Sequence, residues 1–209
     1  LFRSMKAFDR RHFERLYERD PDPWGFRSSV YEENKYTDTI ACLARPHYAK
    51  ALELGCSIGV LTQRLAGVCD EVVAVDTSMR ALATARESCH HANIRFRQAH
   101  LPGGNWGHGF DLIVLSEILY YLDARALDIL AQRIEEAMLP GAECMAVHWI
   151  GDTDYPLSGD HVSEFFKKLL SGTSLLSRRT RCYRLDSWIP LPRHSVIACA
   201  PDALRRTSP

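Results

Sequence analysis

The sequence feature that most constrains the fold is an apolar run that passes through a glycine-containing loop into a helical pattern, Ala-Leu-Glu-Leu-Gly-Cys-Ser-Ile-Gly-Val-Leu at residues 51–61. This order predicts a strand, a tight turn and the start of a helix. A second apolar run, residues 72–75, ends in Asp76. In nucleotide-binding α/β proteins, a carboxylate about twenty residues after the glycine loop binds the ribose. The two runs together therefore predict a nucleoside ligand.

The glycine spacing distinguishes between two kinds of nucleoside ligand. A dinucleotide fingerprint has the form G-x-G-x-x-G, because glycines let the backbone approach a pyrophosphate. Counted from Gly55, those positions hold Gly55, Ser57 and Val60, so the pattern is instead E-x-G-x-x-x-G from Glu53 to Gly59. S-adenosylmethionine (SAM) has no phosphate, and a glycine turn with nearby carboxylates suits it. The stretch resembles motif I of the SAM-dependent methyltransferases.

Composition narrows the class of protein. A chain of 209 residues fits a single domain with one sizeable core. Its 26 Lys and Arg balance its 26 Asp and Glu, so no overall charge favours nucleic acid as a partner. The seven cysteines include no C-x-x-C pair, the histidines lack metal-ligand spacing, and no apolar stretch reaches 18 residues. We therefore expect a cytoplasmic protein without a metal and without stable insertion in a membrane.

Strand-like and helix-like patterns alternate along the chain. Strands are predicted at residues 49–54, 72–76, 94–98, 111–116 and 143–149, followed by an antiparallel closing pair at 180–188 and 194–200. This order predicts a Rossmann-like α/β fold, with a doubly wound, mostly parallel seven-stranded sheet, an antiparallel C-terminal strand and helices on both faces. We expect residues 1–209 to form one domain, with residues 1–45 a helical cap or lid and residues 201–209 a flexible tail.

The candidate cofactor contacts follow from one rule. In open α/β sheets the ligand lies at the carboxyl ends of the strands. Applied to the predicted strand ends and to the preceding cap, the rule selects Trp24, Tyr31, Lys35, Glu53, Gly55, Cys56, Ser57, Gly59, Asp76, Thr77, Met79, Ala99, His100, Leu101, Ser116, Glu117 and Tyr120.

Three of these positions have specific expectations. The carboxylate of Asp76 can accept hydrogen bonds from both ribose hydroxyls. Met79 either packs on the adenine ring or belongs to the core, since a thioether suits both places. His100 stands where many methyltransferases carry an acid for the adenine amino group, so the adenine contact falls either to His100 or to the backbone at Leu101.

The candidate catalytic residues are Glu117, Asp154 and Tyr155. Glu117 follows the fourth strand and either orients, or takes a proton from, an amine nucleophile, or is simply an acid in the first turn of a helix. Asp154 and Tyr155 lie in the polar loop after the fifth strand. Such residues are turn and cap residues by default, but carboxylates and an aromatic ring also suit a substrate with amines and sugar faces.

Several segments together resemble one family, the rhizobial nodulation protein S (NodS) family. The resemblance rests on Asp-Pro-Asp-Pro-Trp at residues 20–24, Tyr-Glu-x-x-Lys-Tyr at 31–36, the glycine loop at 53–59 and the acidic segment at 152–160. It implies a SAM-dependent N-methyltransferase that releases S-adenosyl-L-homocysteine. The implied acceptor is the free amine of the deacetylated terminal glucosamine of a chitooligosaccharide, during synthesis of the nodulation factor.

Two other functions are compatible with the same residues. One is a SAM-dependent methyltransferase for another small-molecule acceptor, because substrate choice lies in the loops. The other is a non-catalytic SAM-binding regulator. A nicotinamide oxidoreductase would need the glycines that the loop lacks.

Overall fold

The computed structural model describes residues 10–191, apart from residues 154 and 156. Seven strands form one sheet in the order β3-β2-β1-β4-β5-β7-β6. The strands are β1 (Tyr48–Leu54), β2 (Cys69–Asp76), β3 (Ile94–Gln98), β4 (Phe110–Ser116), β5 (Met138–Trp149), β6 (Gly172–Arg179) and β7 (Tyr183–Pro190). The helices are α1 (Arg10–Arg19), α2 (Val30–Ala41), α3 (Val60–Ala66), α4 (Met79–Ser88), α5 (Ala124–Ala137) and α6 (Gly159–Leu169), with a single 3₁₀ turn at Leu119–Tyr121.

The sheet is mostly parallel, as the alternation of strands and helices predicts. β1 pairs in parallel with β2 and β4, while β7 pairs antiparallel with both β5 and β6. The strand order reverses at β1, because β2 and β4 lie on its two sides and the chain winds away from it in both directions. The predicted Rossmann-like architecture with an antiparallel C-terminal strand is therefore confirmed. A ligand crevice is expected at the carboxyl end of β1.

Both faces of the sheet are covered by helices. Alternate residues of β1 point to opposite faces, so Leu52 packs in the cluster that contains Leu127 of α5, whereas Ala51 packs in the cluster that contains Leu61 of α3. Because both faces are buried, the central strands are apolar at nearly every position. Within the described residues, none of the helices combines the length and apolar character that a membrane crossing requires.

Side chains cap the starts of two helices that follow strand ends. The side chain of Ser78 accepts a hydrogen bond from the Ala81 amide at the start of α4, and Asp123 does the same for Ala126 at the start of α5. Ser78 lies just after the end of β2, and Asp123 lies just after the 3₁₀ turn that follows β4. The caps therefore help to fix the loops that border the crevice.

The closing strand pair differs from the prediction. The observed partners are β6 and β7, whereas the predicted pair was residues 180–188 with 194–200; the latter segment lies outside the described residues, as does the predicted tail. β6 was not predicted because it is exposed at nearly every position and so lacks the apolar alternation by which strands are recognised.

Candidate active site

A cavity of about 350 Å³ opens at the carboxyl ends of β1, β2, β4 and β5, beneath α1 and α2. Its volume falls in the range of small-molecule sites. It brings together fourteen of the residues selected from the sequence, namely Trp24, Tyr31, Lys35, Gly55, Ser57, Asp76, Thr77, Ala99, His100, Leu101, Ser116, Glu117, Tyr120 and Tyr155.

The remaining predicted residues lie elsewhere. Glu53 and Cys56 border a smaller cavity of about 30 Å³ behind the glycine loop. Met79 is 44% exposed on the first turn of α4, and neither it nor Gly59 borders either cavity. Asp154 lies outside the described residues.

Gly59 is explained by packing. Its φ is +83°, and a Cβ at this position would lie 2.6 Å from the sulfur of Cys89 and 3.1 Å from the Cβ of Ala85. Only a glycine both adopts this left-handed backbone without strain and lets the start of α3 approach α4 so closely. The second glycine of the loop therefore serves the helix contact and borders neither cavity.

The glycine loop is fixed by polar contacts from two directions. Ser57 has a left-handed φ of +50°, and its amide donates a hydrogen bond of 2.9 Å to the carboxylate of Asp76. Its hydroxyl is hydrogen-bonded to the phenol of Tyr17 on α1 at 2.5 Å. The N-terminal helix is thus tied directly to the loop at the end of β1. Tyr17 was not among the selected residues, although its spacing from Phe13 is that of one helix face.

Asp76 is held with acceptor capacity to spare. One of its oxygens accepts from the Ser57 amide at 2.9 Å and the other from the Ser78 amide at 2.8 Å. A carboxylate has about four acceptor positions, so each oxygen retains one for a further donor. Burial raises the pKa of Asp76 to about 6, against the lowering effect of these amides. Additional hydrogen bonds from a ligand would stabilise the ionised form.

Glu53 has a different environment from Asp76. It is 1% exposed and accepts a 2.6 Å hydrogen bond from the hydroxyl of Thr62. Burial raises its pKa to about 7. Its position beneath the loop makes it a support of the loop and a wall of the small cavity.

Glu117 follows β4, on the other side of β1 from Asp76, and lines the same cavity in an unusual backbone conformation. It has a φ of +55°, which is uncommon for a residue with a side chain. One oxygen accepts from the ammonium of Lys35 at 2.5 Å; the other accepts from the hydroxyl of Tyr120 at 2.5 Å and from the amide of Trp149 at 2.9 Å. Burial by itself would raise the pKa of Glu117, but the Lys35 ammonium, together with His148 and the Tyr120 hydrogen bond, outweighs burial and holds the pKa below the ordinary value.

His148 supports this segment from below. It is fully buried, and its Nε2 accepts from the Leu119 amide at 3.3 Å, which leaves Nδ1 to donate to the hydroxyl of Ser163. Burial lowers its pKa to about 4, so the ring is neutral. It therefore fixes the 3₁₀ turn that carries Tyr120 without adding a charge.

Aromatic rings form the wall beside Glu117. Tyr120 and Tyr155 are stacked with their centroids 4.9 Å apart, and Tyr121 meets Tyr155 edge to face at 4.7 Å. Phe13 of α1 closes the row against Tyr121 at 5.1 Å. The selection from the sequence omitted part of the cavity wall, namely Phe13, Tyr17, Phe26, Glu32, Val75, Ile118, Tyr121, Leu122, Trp149 and Thr153.

The charged groups in the wall favour a cation. Among the described residues that line the cavity, Asp76, Glu32 and Glu117 are carboxylates, whereas Lys35 is the ammonium, and it is paired with two of them. A pyrophosphate would bring two more negative charges into this surrounding. A ligand with positive groups would interact favourably with these carboxylates.

Comparison with known proteins gives one family. The family model described as Nodulation protein S (NodS) matches residues 10–143. The nodulation protein S of Sinorhizobium fredii is 31% identical over 104 residues, which cover 49% of this chain and 48% of that protein. That of Bradyrhizobium diazoefficiens is 32% identical over 103 residues, which cover 48% of this chain and 49% of that protein. The chain thus matches about half the length of these curated relatives.

Two solved structures resemble the fold described above. A structure described as a putative methyltransferase from Pseudomonas syringae is 35% identical, with a TM-score of 0.69 over 77% of this chain and 99% of that one. The N-methyltransferase NodS from Bradyrhizobium japonicum, in complex with S-adenosyl-L-homocysteine, is 21% identical, with a TM-score of 0.75 over 86% of this chain and 97% of that one. At that lower identity the second likeness concerns the fold alone.

Proposed function

The chain belongs to the nodulation protein S family, and from this membership and the geometry of its cavity we propose that it is a SAM-dependent N-methyltransferase. The observation that carries the proposal is a single cavity lined by two carboxylates from the two sides of β1: Asp76, which is compatible with a ribose, and Glu117, which is ion-paired. The nucleoside and the methyl acceptor would then occupy different parts of one site.

Three features of the wall fit SAM. Asp76 has a free acceptor position on each oxygen for the two ribose hydroxyls. The excess of carboxylates suits the sulfonium and the ammonium of the ligand. The hydroxyl of Tyr31 is buried and has no hydrogen-bond partner among the described residues, so it would gain one from a bound ligand.

The remaining contacts are part of the same proposal. Thr77, Ala99, His100 and Leu101 would surround the adenosine next to Asp76, and Gly55, Ser57 and Ser116 would border its ribose and sulfur. Trp24 and Tyr31 would close the site from the cap. Glu53 and Cys56 would support the loop from behind it.

Methyl transfer in this site would depend mainly on positioning. SAM supplies a methyl group on a positively charged sulfur. Glu117 would orient the acceptor amine through a hydrogen bond from an N–H, which leaves the nitrogen lone pair directed at the methyl. An amine with a pKa near 7.7 to 8.0 is partly neutral at neutral pH, so a strong base is unnecessary. The tyrosine wall would exclude water from the reacting atoms.

The proposed acceptor is the free amine of the deacetylated terminal glucosamine of a chitooligosaccharide. Two observations support it: the curated relatives are nodulation proteins, and the wall beside Glu117 consists of aromatic rings. Aromatic rings pack on the apolar faces of sugars, and a carboxylate binds an amine. Tyr155 would supply such a ring, and Asp154 in the same loop would be a second acidic contact.

The test compares two acceptors that differ at one group. The protein is incubated with methyl-labelled SAM and either a deacetylated or a fully acetylated chitooligosaccharide, and labelled product is separated and counted. We expect transfer to the deacetylated compound alone. Equal transfer to both compounds would refute the amine as the acceptor. SAM binding without transfer to any amine would favour the regulator, and transfer to unrelated amines alone would favour another small-molecule acceptor.

A further inference from the structure

Lys35 is among the largest side chains that the protein buries completely. Lys35 lies in the middle of α2 and is 1% exposed. Its ammonium lies 2.5 Å from an oxygen of Glu117 and 2.9 Å from an oxygen of Glu32. A buried lysine without partners would lose its proton, whereas here the two carboxylates raise its pKa against the effect of burial. Lys35 is therefore a fixed positive charge inside the protein.

The contacts of Lys35 indicate that it binds side chains of the protein rather than the cofactor. An ammonium has three donors, and two of them are directed at Glu32 and Glu117. The contact with Glu117 spans 82 positions of the chain and joins the cap to the segment after β4. This ion pair links the cap to the part of the cavity wall where Tyr120 lies.

The backbone of Glu117 shows that its side-chain position is imposed. A left-handed residue with a side chain costs about 1–3 kcal/mol and persists only where several contacts determine it. Here three donors hold the carboxylate, from Lys35, Tyr120 and the Trp149 amide. They occupy three of about four acceptor positions, and the side chain is 14% exposed at the cavity wall.

We propose that Lys35 is a positioning residue that, through its ion pair, keeps Glu117 as an oriented carboxylate whose last acceptor position receives an N–H of the methyl acceptor. The proposal rests on the proposed N-methyl transfer. In the reaction the lone pair of the neutral amine forms the N–C bond, the C–S electron pair goes to sulfur, and the product is an ammonium whose N–H bonds to Glu117. Its extra proton passes to water after release.

The charge of Lys35 matters because the protonated form of Glu117 would work against the reaction. A carboxylic acid donates a hydrogen bond, and it would donate to the same nitrogen lone pair that must attack the methyl. The titratable groups that face Glu117 are Tyr31, Glu32, Lys35 and Tyr36 on α2, Tyr120 and Tyr121 on the 3₁₀ turn, and His148 on β5. Of these groups Lys35 makes the largest contribution that keeps Glu117 ionised, and His148 and the Tyr120 hydrogen bond add to it.

The first measurement needs no turnover. Glutamate labelled with ¹³C at the side-chain carboxyl is incorporated, the Glu117 signal is assigned by its loss in Glu117→Gln, and the protein is titrated from pH 4 to 9. In the wild type we expect the Glu117 midpoint below the ordinary glutamate value of about 4.3; in Lys35→Met it should rise above that ordinary value, and in Lys35→Arg it should stay low. A wild-type midpoint above that ordinary value would overturn the proposal even if Lys35→Met failed to fold.

The second measurement separates positioning from cofactor binding. For Lys35→Met we expect kcat to fall at least about tenfold at one pH unit or more below the Glu117 midpoint measured in that variant, and to recover above that midpoint, with affinity for S-adenosyl-L-homocysteine within about threefold of wild type. Lys35→Arg should retain the wild-type pH profile. An affinity loss as large as the loss of kcat would instead make Lys35 a cofactor ligand. If no amine is methylated at all, the proposed function fails, while the titration still decides whether Lys35 controls Glu117.

Discussion

Replacing Asp76 by asparagine tests the ribose contact. The carboxylate can offer one free acceptor position on each oxygen to the ligand, and each charge-assisted hydrogen bond is worth about 1.5–3 kcal/mol. Asparagine keeps one oxygen acceptor and replaces the other by a donor, so one such bond is lost. We therefore expect Asp76→Asn to weaken binding of S-adenosyl-L-homocysteine by about 1.5–3 kcal/mol, or about 10- to 150-fold.

The assay is isothermal titration calorimetry with a control on the same strand. Asp70 lies at the opposite end of β2 with its side chain 72% exposed and paired with His47, so Asp70→Asn makes the same chemical change away from the cavity. The control should bind with wild-type affinity. Circular dichroism confirms that both variants are folded. An Asp76→Asn affinity within threefold of wild type would refute the assignment of the ribose to this carboxylate.

Further predictions concern pH, packing and catalysis. Burial raises the pKa of Asp76 to about 6, and only the ionised carboxylate can accept both hydrogen bonds from the ribose. The affinity for S-adenosyl-L-homocysteine should therefore be constant above pH 7 and fall by up to about tenfold per pH unit below 6. Calorimetry at several pH values should show this fall in the wild type and not in Asp76→Asn. Gly59→Ala places a methyl group 2.6 Å from the Cys89 sulfur at a φ of +83°, and should lower the free energy of unfolding by about 2–4 kcal/mol. The control is Gly107→Ala, because Gly107 has a φ of +93° but a Cβ there would meet no described atom within 4 Å. It should lower the free energy of unfolding by only about 1–2 kcal/mol. Equal losses for the two variants in urea unfolding would contradict the packing role of Gly59. Glu117→Gln should lower kcat by about 10- to 100-fold with little change in cofactor affinity, because the amine is less well oriented; an unchanged kcat would exclude Glu117 from the reaction.

The fold was predictable because its central strands are buried on both faces. β2 and β4 end where their apolar runs end, at Asp76 and Ser116. β6 was not predictable in the same way, because an exposed edge strand is held by backbone hydrogen bonds to β7 that any sequence can make. Residue type therefore carries little information about such a strand.

The candidate site was predictable to the extent that it lies at strand ends. The rule that ligands bind at the carboxyl ends of strands selected Asp76 and Glu117, and both line the cavity. It did not select Phe13 and Tyr17, because they come from a helix that precedes the first strand and whose packing depends on long-range contacts. Residue spacing does not predict the Lys35–Glu117 pair either, since its two members are far apart in the chain.

A thermal-shift comparison of three ligands tests the central claim most directly. The claim is that the cavity between Asp76 and Glu117 holds an adenosyl ligand with a positively charged or thioether sulfur. SAM and S-adenosyl-L-homocysteine at a hundredfold excess over the dissociation constant should each stabilise the native protein by about 2.7 kcal/mol, and NAD should give no shift. A shift with NAD, or none with either adenosyl ligand, would contradict the account.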